Sequence, residues 1–250
     1  LGNLLLGSRT RTTTIATRGG VYKTTDRGST WTEFDKGLPE AAPPVTALRF
    51  RDGFLHAVVY GAVDNGAGVY KLGNSGWEPA GIAPGLDNVF DIQDIPGGMV
   101  AARYEKYKKD EAASDYWWTV RVSVNSTGSW TDITPTNKDG TKIAACTSID
   151  KIRVQDNKVF LFAKGIAKWA DASANASEEL IGNDWKDLVL SARDVSGNVS
   201  ILSNATDVVY CPGNHAHPGK YYFATESHGI RGGVASRLTE VTPLPTFPVG

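Results

Sequence analysis

Four aspartates, Asp91, Asp94, Asp150 and Asp207, flank short apolar runs and could serve as paired acids. Two carboxyls facing one another across a cleft can cleave a glycosidic bond, and their separation selects a retaining or an inverting course. A second chemistry is suggested by Asn214-His215-Ala216-His217-Pro218, the only local histidine cluster. In extended backbone His215 and His217 would fall on one face, as a pair of transition-metal ligands requires. No third ligand is evident, and an exposed Pro/Gly-flanked loop is the commoner setting, so no metal is expected. His56 and His228 read as ordinary strand or turn residues. Cys146 and Cys211 are the only cysteines, and their separation matches neither a zinc nor a thioredoxin-like pattern. They read either as two buried free thiols or as a disulfide between neighbouring units. There is no Gly-rich phosphate loop, GxSxG elbow or HExxH helix, and no cofactor is expected.

Aromatic residues offer binding rather than catalysis. The segment RYEKYKKDEAASDYWWTVRV places Tyr104, Tyr107, Tyr116, Trp117 and Trp118 beside a charged tip. If it forms a projecting hairpin, these rings could stack on sugar faces or dock a partner protein; the plainer alternative is that they pack the hairpin on its neighbours. The later connection ADASANASEELIGND is acidic but lacks EF-hand spacing, and reads as a solvated loop. Four N-x-S/T sequons, at Asn125, Asn175, Asn198 and Asn204, suit a glycosylated surface in a secreted or cell-surface protein.

Bulk electrostatics removes other classes. With 26 Lys+Arg against 27 Asp+Glu, the 250-residue chain has a formal net charge of -1. Such a balance supplies no general field for nucleic acid or an anionic membrane. Hydrophobic residues make up 41% of the chain, enough for a core. No stretch approaches the ~20 continuous apolar residues of a membrane span. No charged n-region with an apolar h-region precedes Leu1, so any targeting peptide is expected to be absent from this stretch.

The elements that must position these residues repeat. STWTEF, SGWEPA, GSWTDI and NDWKDL bring Trp31, Trp77, Trp130 and Trp185 into register, and SRLTEV puts Leu238 in the same column. The period is about fifty residues, which suits four strands per unit. An alanine column at Ala16, Ala57, Ala101, Ala163 and Ala224 precedes it and marks second strands. Between the columns, GVYK occurs twice, followed by TVRVSV, GIAKW and GIRGGV, which read as third strands. LLLGS, VTALRF, VFDIQDI, SIDKIRV and TDVVYC read as first strands. Gly, Asn and Asp fall between them, as turns demand, and no convincing amphipathic helix appears. The expectation is an all-β fold, a β-propeller of about five four-stranded antiparallel blades. A single domain over 1–250 would divide approximately into 1–40, 41–86, 87–142, 143–195 and 196–250. Radial stacking buries both faces of every sheet and protects its edges. Small alanines would let sheets approach near the axis, and the tryptophans would fill the wider outer gaps.

Thr24-Thr-Asp-Arg-Gly-Ser-Thr-Trp31 resembles the Asp-box or BNR repeat, Ser/Thr-x-Asp-x-Gly-x-Thr-Trp, at all five specified positions: Thr24, Asp26, Gly28, Thr30 and Trp31. SVNSTGSW, ending at Trp130, is similar but degenerate. Such boxes occur in sialidase-like propellers, xyloglucan-cleaving glycosidases, the sortilin ectodomain and photosystem assembly factors. The resemblance implies a peripheral position and a structural role for Asp26. Independently of the name, Gly28 can supply a positive φ, Asp26 an acceptor for turn N–H groups, and Trp31 a ring to pack on the adjacent sheet.

The catalytic apparatus of sialidases is not legible here. Their Phe/Tyr-Arg-Ile-Pro segment is missing, and Arg9, Arg11, Arg49, Arg103, Arg193 and Arg231 read by default as solvated strand-edge residues. Xyloglucanase-like enzymes join two large propellers with one catalytic carboxylate on each. The leading expectation is therefore a secreted or surface-exposed, non-catalytic binding module for carbohydrate or another macromolecule. A glycoside hydrolase of sialidase-like or xyloglucanase-like type is the alternative. A structural subunit of an extracellular assembly is the third reading, with the Leu-rich start and the ending PLPTFPVG as self-assembly arms.

Overall fold

The computed structural model describes residues 4–8, 19–39, 44–61, 63–82, 86–106, 116–124, 129–135, 149–163, 166–172, 185–193, 199–201, 205–214, 218–225, 229–234 and 242–243. Its regular structure is nearly all β. Two compact units divide the chain, Leu1–Ile143 and Ala144–Gly250.

The first unit contains three antiparallel sheets. The first is built from β1 (Leu4–Ser8), β2 (Gly20–Thr24) and β3 (Thr32–Glu33), in that order. Next come β4 (Val45–Arg51), β5 (Phe54–Val59), β6 (Gly68–Gly73) and β7 (Gly76–Pro79), then β8 (Val89–Ile95), β9 (Gly98–Lys106), β10 (Tyr116–Val124) and β11 (Ser129–Asp132). Both of these are four-stranded meanders. One expectation is corrected here. LLLGS does not stand two places from GVYK: Leu4 pairs with Thr24 and Ser8 with Gly20, so β1 holds the second-strand position. The expected second strand around Ala16 lies outside the described residues.

The second unit carries β12 (Ile149–Gln155), β13 (Lys158–Ala163), β14 (Ile166–Asp171) and β15 (Lys186–Asp187) as a four-stranded meander. A two-stranded hairpin, β16 (Ser191–Arg193) and β17 (Val199–Ile201), follows, and the expected boundary at 195 falls inside it. The last meander is β18 (Ala205–Cys211), β19 (Lys220–Thr225), β20 (Gly229–Val234) and β21 (Thr242–Pro243).

Tight turns fix these registers. Asp52-Gly53 has φ 50° and 81°, and Asp156-Asn157 has φ 48° and 54°. Positive φ at both central residues matches the right-handed twist of the flanking strands. The second sheet is buried on both faces, as stacking requires. Ala57 and Val59 belong to a cluster with Val21, Val45, Tyr70 and Trp77, against which Phe34 and Leu38 pack. Val58, between them in sequence, belongs instead to a cluster with Ala47, Val69, Leu86, Val89, Ile92, Met99 and Ala101. Alternation along β5 thus feeds one core layer on each side. In the second unit Phe160, Phe162, Leu188, Val208, Tyr221 and Phe223 form the corresponding layer between two sheets. Each fully buried Val, Leu or Phe side chain contributes roughly 1.5–3 kcal/mol. The alanine column behaves as its size suggests, because Ala57 and Ala101 are both completely buried.

The tryptophan column is not equivalent from sheet to sheet. Trp77 is buried, donates its indole N–H to the Phe34 carbonyl at 2.7 Å and meets the Phe34 ring edge-on. Trp31 is 38% exposed and donates to the Gly28 carbonyl of its own turn at 3.1 Å. The expectation that Trp31 packs on an adjacent sheet is corrected: its partner is local, and Trp77 makes the inter-sheet contact.

Candidate functional site

The turn Thr24–Trp31 joins β2 to β3. Its backbone turns through positive φ at Arg27 (61°) and Gly28 (94°). Asp26 receives the Thr30 hydroxyl at 2.6 Å, the Thr30 N–H at 2.8 Å and the Thr24 hydroxyl at 2.7 Å. Thr24 in turn accepts the Gly28 N–H at 2.9 Å. Hydrogen bonds from Thr30 first, and from Thr24, favour the ionised carboxylate and lower its pKa to about 2. An acid held this firmly ionised by its own turn organises backbone and is poorly suited to proton donation at neutral pH.

The four aspartates considered as catalytic acids lie on first strands, and the three with described side chains carry cations. In each complete meander the first strand has a bulge at the same place: Val45/Ala47, Val89/Asp91, Ile149/Lys151 and Ala205/Asp207. The bulge re-aims the next residue. Asp91 and Asp207 both occupy that position, and each accepts the N–H of its successor, Ile92 at 2.8 Å and Val208 at 2.9 Å. Across the sheet interface, Arg49 of β4 donates to Asp91 at 2.6 Å. Lys151 and Arg153 of β12 donate to Asp207 at 2.6 and 2.9 Å. Arg49 and Arg153 also donate to the carbonyl of their preceding residue, Leu48 and Ile152. The same latch therefore closes one sheet pair in each unit. Sequence reasoning missed it, although its signal was present: apolar-Arg-apolar in ALRF and KIRV precedes x-Asp-apolar in VFDI and ATDV by one repeat.

Burial pushes the Asp207 carboxyl up, but the bonds from Lys151 and Arg153 outweigh it and the net shift is downward. Asp94 sits 2.6 Å from Arg51, and its pKa is raised because partial burial outweighs that cation. Asp150 lies in the bulge of β12. Nearby, burial lowers the pKa of His56, which its ring contact with the Phe54 carbonyl only partly opposes. His56 lies in β5, as an ordinary strand residue would, and its side chain is buried there. Arg103 is likewise buried.

The aromatic hairpin is the longest in the chain's described strands, with nine residues in each of β9 and β10. Pairing of β9 with the inner strand β8 ends at Arg103, opposite Val89. Pairing with β10 continues through Trp118↔Tyr104, Trp117↔Glu105 and Tyr116↔Lys106. Tyr104, Tyr116, Trp117 and Trp118 are therefore on a two-stranded ribbon running past the inner strand. Tyr107 lies outside the described residues. So do His215 and His217, the four sequon asparagines, Cys146 and residues 244–250 of the ending; of the Leu-rich start, Leu4, Leu5 and Leu6 pair with β2 within the first sheet. Cys211 is an exposed free thiol, which matches neither the pair of buried thiols nor the disulfide considered from the sequence. Among the described residues no group of His, Cys, Asp or Glu could hold a metal ion, and no helix is long and apolar enough to cross a membrane.

No family model and no curated protein matches the chain. Solved structures do. PorZ, described as an essential bacterial surface component of the type-IX secretion system of Porphyromonas gingivalis, aligns over 91% of this chain and 31% of its own, with TM-score 0.54 and 13% identity. An α-L-arabinanase of Penicillium chrysogenum, solved with arabinobiose, aligns over 91% of this chain and 73% of its own, again with TM-score 0.54 and 13% identity. This chain thus spans about a third of PorZ. The neighbours include β-propeller enzymes, and together with the four-stranded meanders they show an all-β fold of the β-propeller type.

Proposed function

We propose that residues 1–250 form one β-propeller domain of the Asp-box, sialidase-like kind, secreted or displayed at the cell surface, which binds carbohydrate or another macromolecule without catalysis. The observation that carries this reading is the β9–β10 ribbon, which extends past β8 and brings Tyr104 opposite Trp118. Rigid sheets hold such a ribbon at little ordering cost on binding. The carboxylates that a hydrolase would need are engaged elsewhere: Asp91, Asp94 and Asp207 each face a cation at 2.6 Å. The fold itself does not choose, since an arabinanase and a secretion-system component both share it.

A glycan array combined with a reducing-sugar assay tests the proposal. The expected outcome is retention on a subset of glycans with no sugar release. Trp117→Ala/Trp118→Ala should weaken retention by roughly tenfold or more, as loss of stacked rings does, with the melting temperature unchanged. Release of reducing ends by the wild type would replace this reading with the hydrolase one. Unfolding of the double variant would assign the rings to packing.

A further inference from the structure

A second site, remote in sequence from the aromatic ribbon, lies on the second sheet at the β6–β7 turn. A surface cavity of about 490 Å³ opens there, bounded by Phe54, the turn Gly73–Gly76, Trp77 and Glu78. Its size is that of a small-ligand site. The Phe54 ring is 47% exposed at the start of β5. At the turn, a Cβ on Gly73 would stand 3.3 Å from the Glu78 carboxyl carbon, so a larger residue there would crowd the Glu78 side chain. Lys71, beside the cavity rather than in its lining, holds its ammonium over one face of the Phe54 ring, 5.5 Å from the centre, and 3.1 Å from Glu78.

We infer that this cavity is a binding site for a neutral saccharide unit, with Phe54 as its stacking platform and Glu78, Lys71, Asn74 and Ser75 as its hydroxyl-reading groups. The apolar C–H face of a sugar ring covers a half-exposed aromatic ring well. Sugar hydroxyls can donate to the Glu78 carboxylate and accept from the Lys71 ammonium, using both members of a solvent-exposed pair whose own attraction is weak. The paired charges also set the class. The pair carries no net charge, so it offers a charged sugar no net attraction to offset the desolvation of its charge, and a neutral ligand has no such charge to desolvate.

The site does not use the β9–β10 ribbon, so its test is separable from that of the proposed function. The probe is a panel of neutral methyl glycosides, with methyl β-D-glucuronide as the charged control. Binding is read by indole fluorescence and by amide shifts in 15N-labelled protein. Saturable binding of at least one neutral member is expected, with a Kd on the order of 1 mM and shifts centred on Asn74 and Ser75. Phe54→Ala and Glu78→Gln should each weaken it by roughly tenfold, while Trp117→Ala/Trp118→Ala leaves it unchanged. Absence of saturation across the panel, shifts centred elsewhere in the wild type, or equal binding of the glucuronide would overturn the inference.

Discussion

At the scale of single residues, the chain uses ionised side chains to hold backbone. Asp26 gathers three hydrogen bonds from Thr24 and Thr30 in a turn that also needs Gly28 at φ 94°. Its folded pKa of about 2 lies below the ordinary aspartate value of about 4. The ionised carboxylate therefore binds fewer protons in the native state than in the unfolded one. Its stabilisation is fully present above about pH 4 and disappears as pH falls through about 2. Asp26→Asn should lower the melting temperature at pH 7 and reduce the acid-side slope between those limits, as followed by circular dichroism. His56 works in the same direction at higher pH. Its lowered folded pKa means that stability is present above about pH 6.5 and declines on acidification below it. An NMR titration of its ring protons should find the neutral form persisting below that pH; an elevated pKa would contradict the burial argument.

At the scale of elements, contacts between sheets divide into apolar layers and polar latches, and the latches differ in strength. Asp91 is 7% exposed at its side chain, whereas Asp207 is 31% exposed and is met by both Lys151 and Arg153. Arg49→Ala would take a cation from a buried carboxylate that keeps its bond from the Ile92 N–H, and should cost about 1–3 kcal/mol. Arg153→Ala leaves Lys151 in place at a wetter site and should cost about 1 kcal/mol or less. Urea denaturation of both variants checks the order. A close backbone approach adds a second constraint: a Cβ at Gly37 would collide with the Trp77 carbonyl, and one at Gly76 with the Lys36 carbonyl. Both glycines have φ of 95° or more, and Trp77 donates its own N–H to Lys36 at 2.8 Å. Gly76→Ala should therefore destabilise by about 2 kcal/mol or more. The neighbouring Gly53→Ala, which meets nothing within 4 Å, should cost less, leaving only the strain of its φ of 81°.

At the scale of the whole molecule, the near-cancelling charge carries a prediction about recognition. A neutral saccharide carries no condensed counterions to release and the chain's formal net charge is only -1, so a saccharide Kd should change by less than about twofold between 50 and 200 mM salt. A steep salt slope would point to a polyanionic partner. Periodicity alone was enough to give the all-β class and most strands, because the Trp column, the alanine column and GVYK each recur at the same phase of a meander. Bulges and the fate of each tryptophan were not legible, and the latches left a recurring Arg and Asp pattern without its pairing. ALRF and VFDI are separated by one repeat, and only the stacking of two sheets brings Arg49 to Asp91. Likewise Trp31 and Trp77 share a motif position, yet their burial differs because one ring folds onto its own turn and the other reaches Phe34 in the neighbouring sheet. Local pattern determined which segments are strands and where they turn, since alternation and turn chemistry act within a few residues. Tertiary structure decided which charges are neutralised and which aromatic surfaces stay open, since those outcomes depend on what a neighbouring sheet presents.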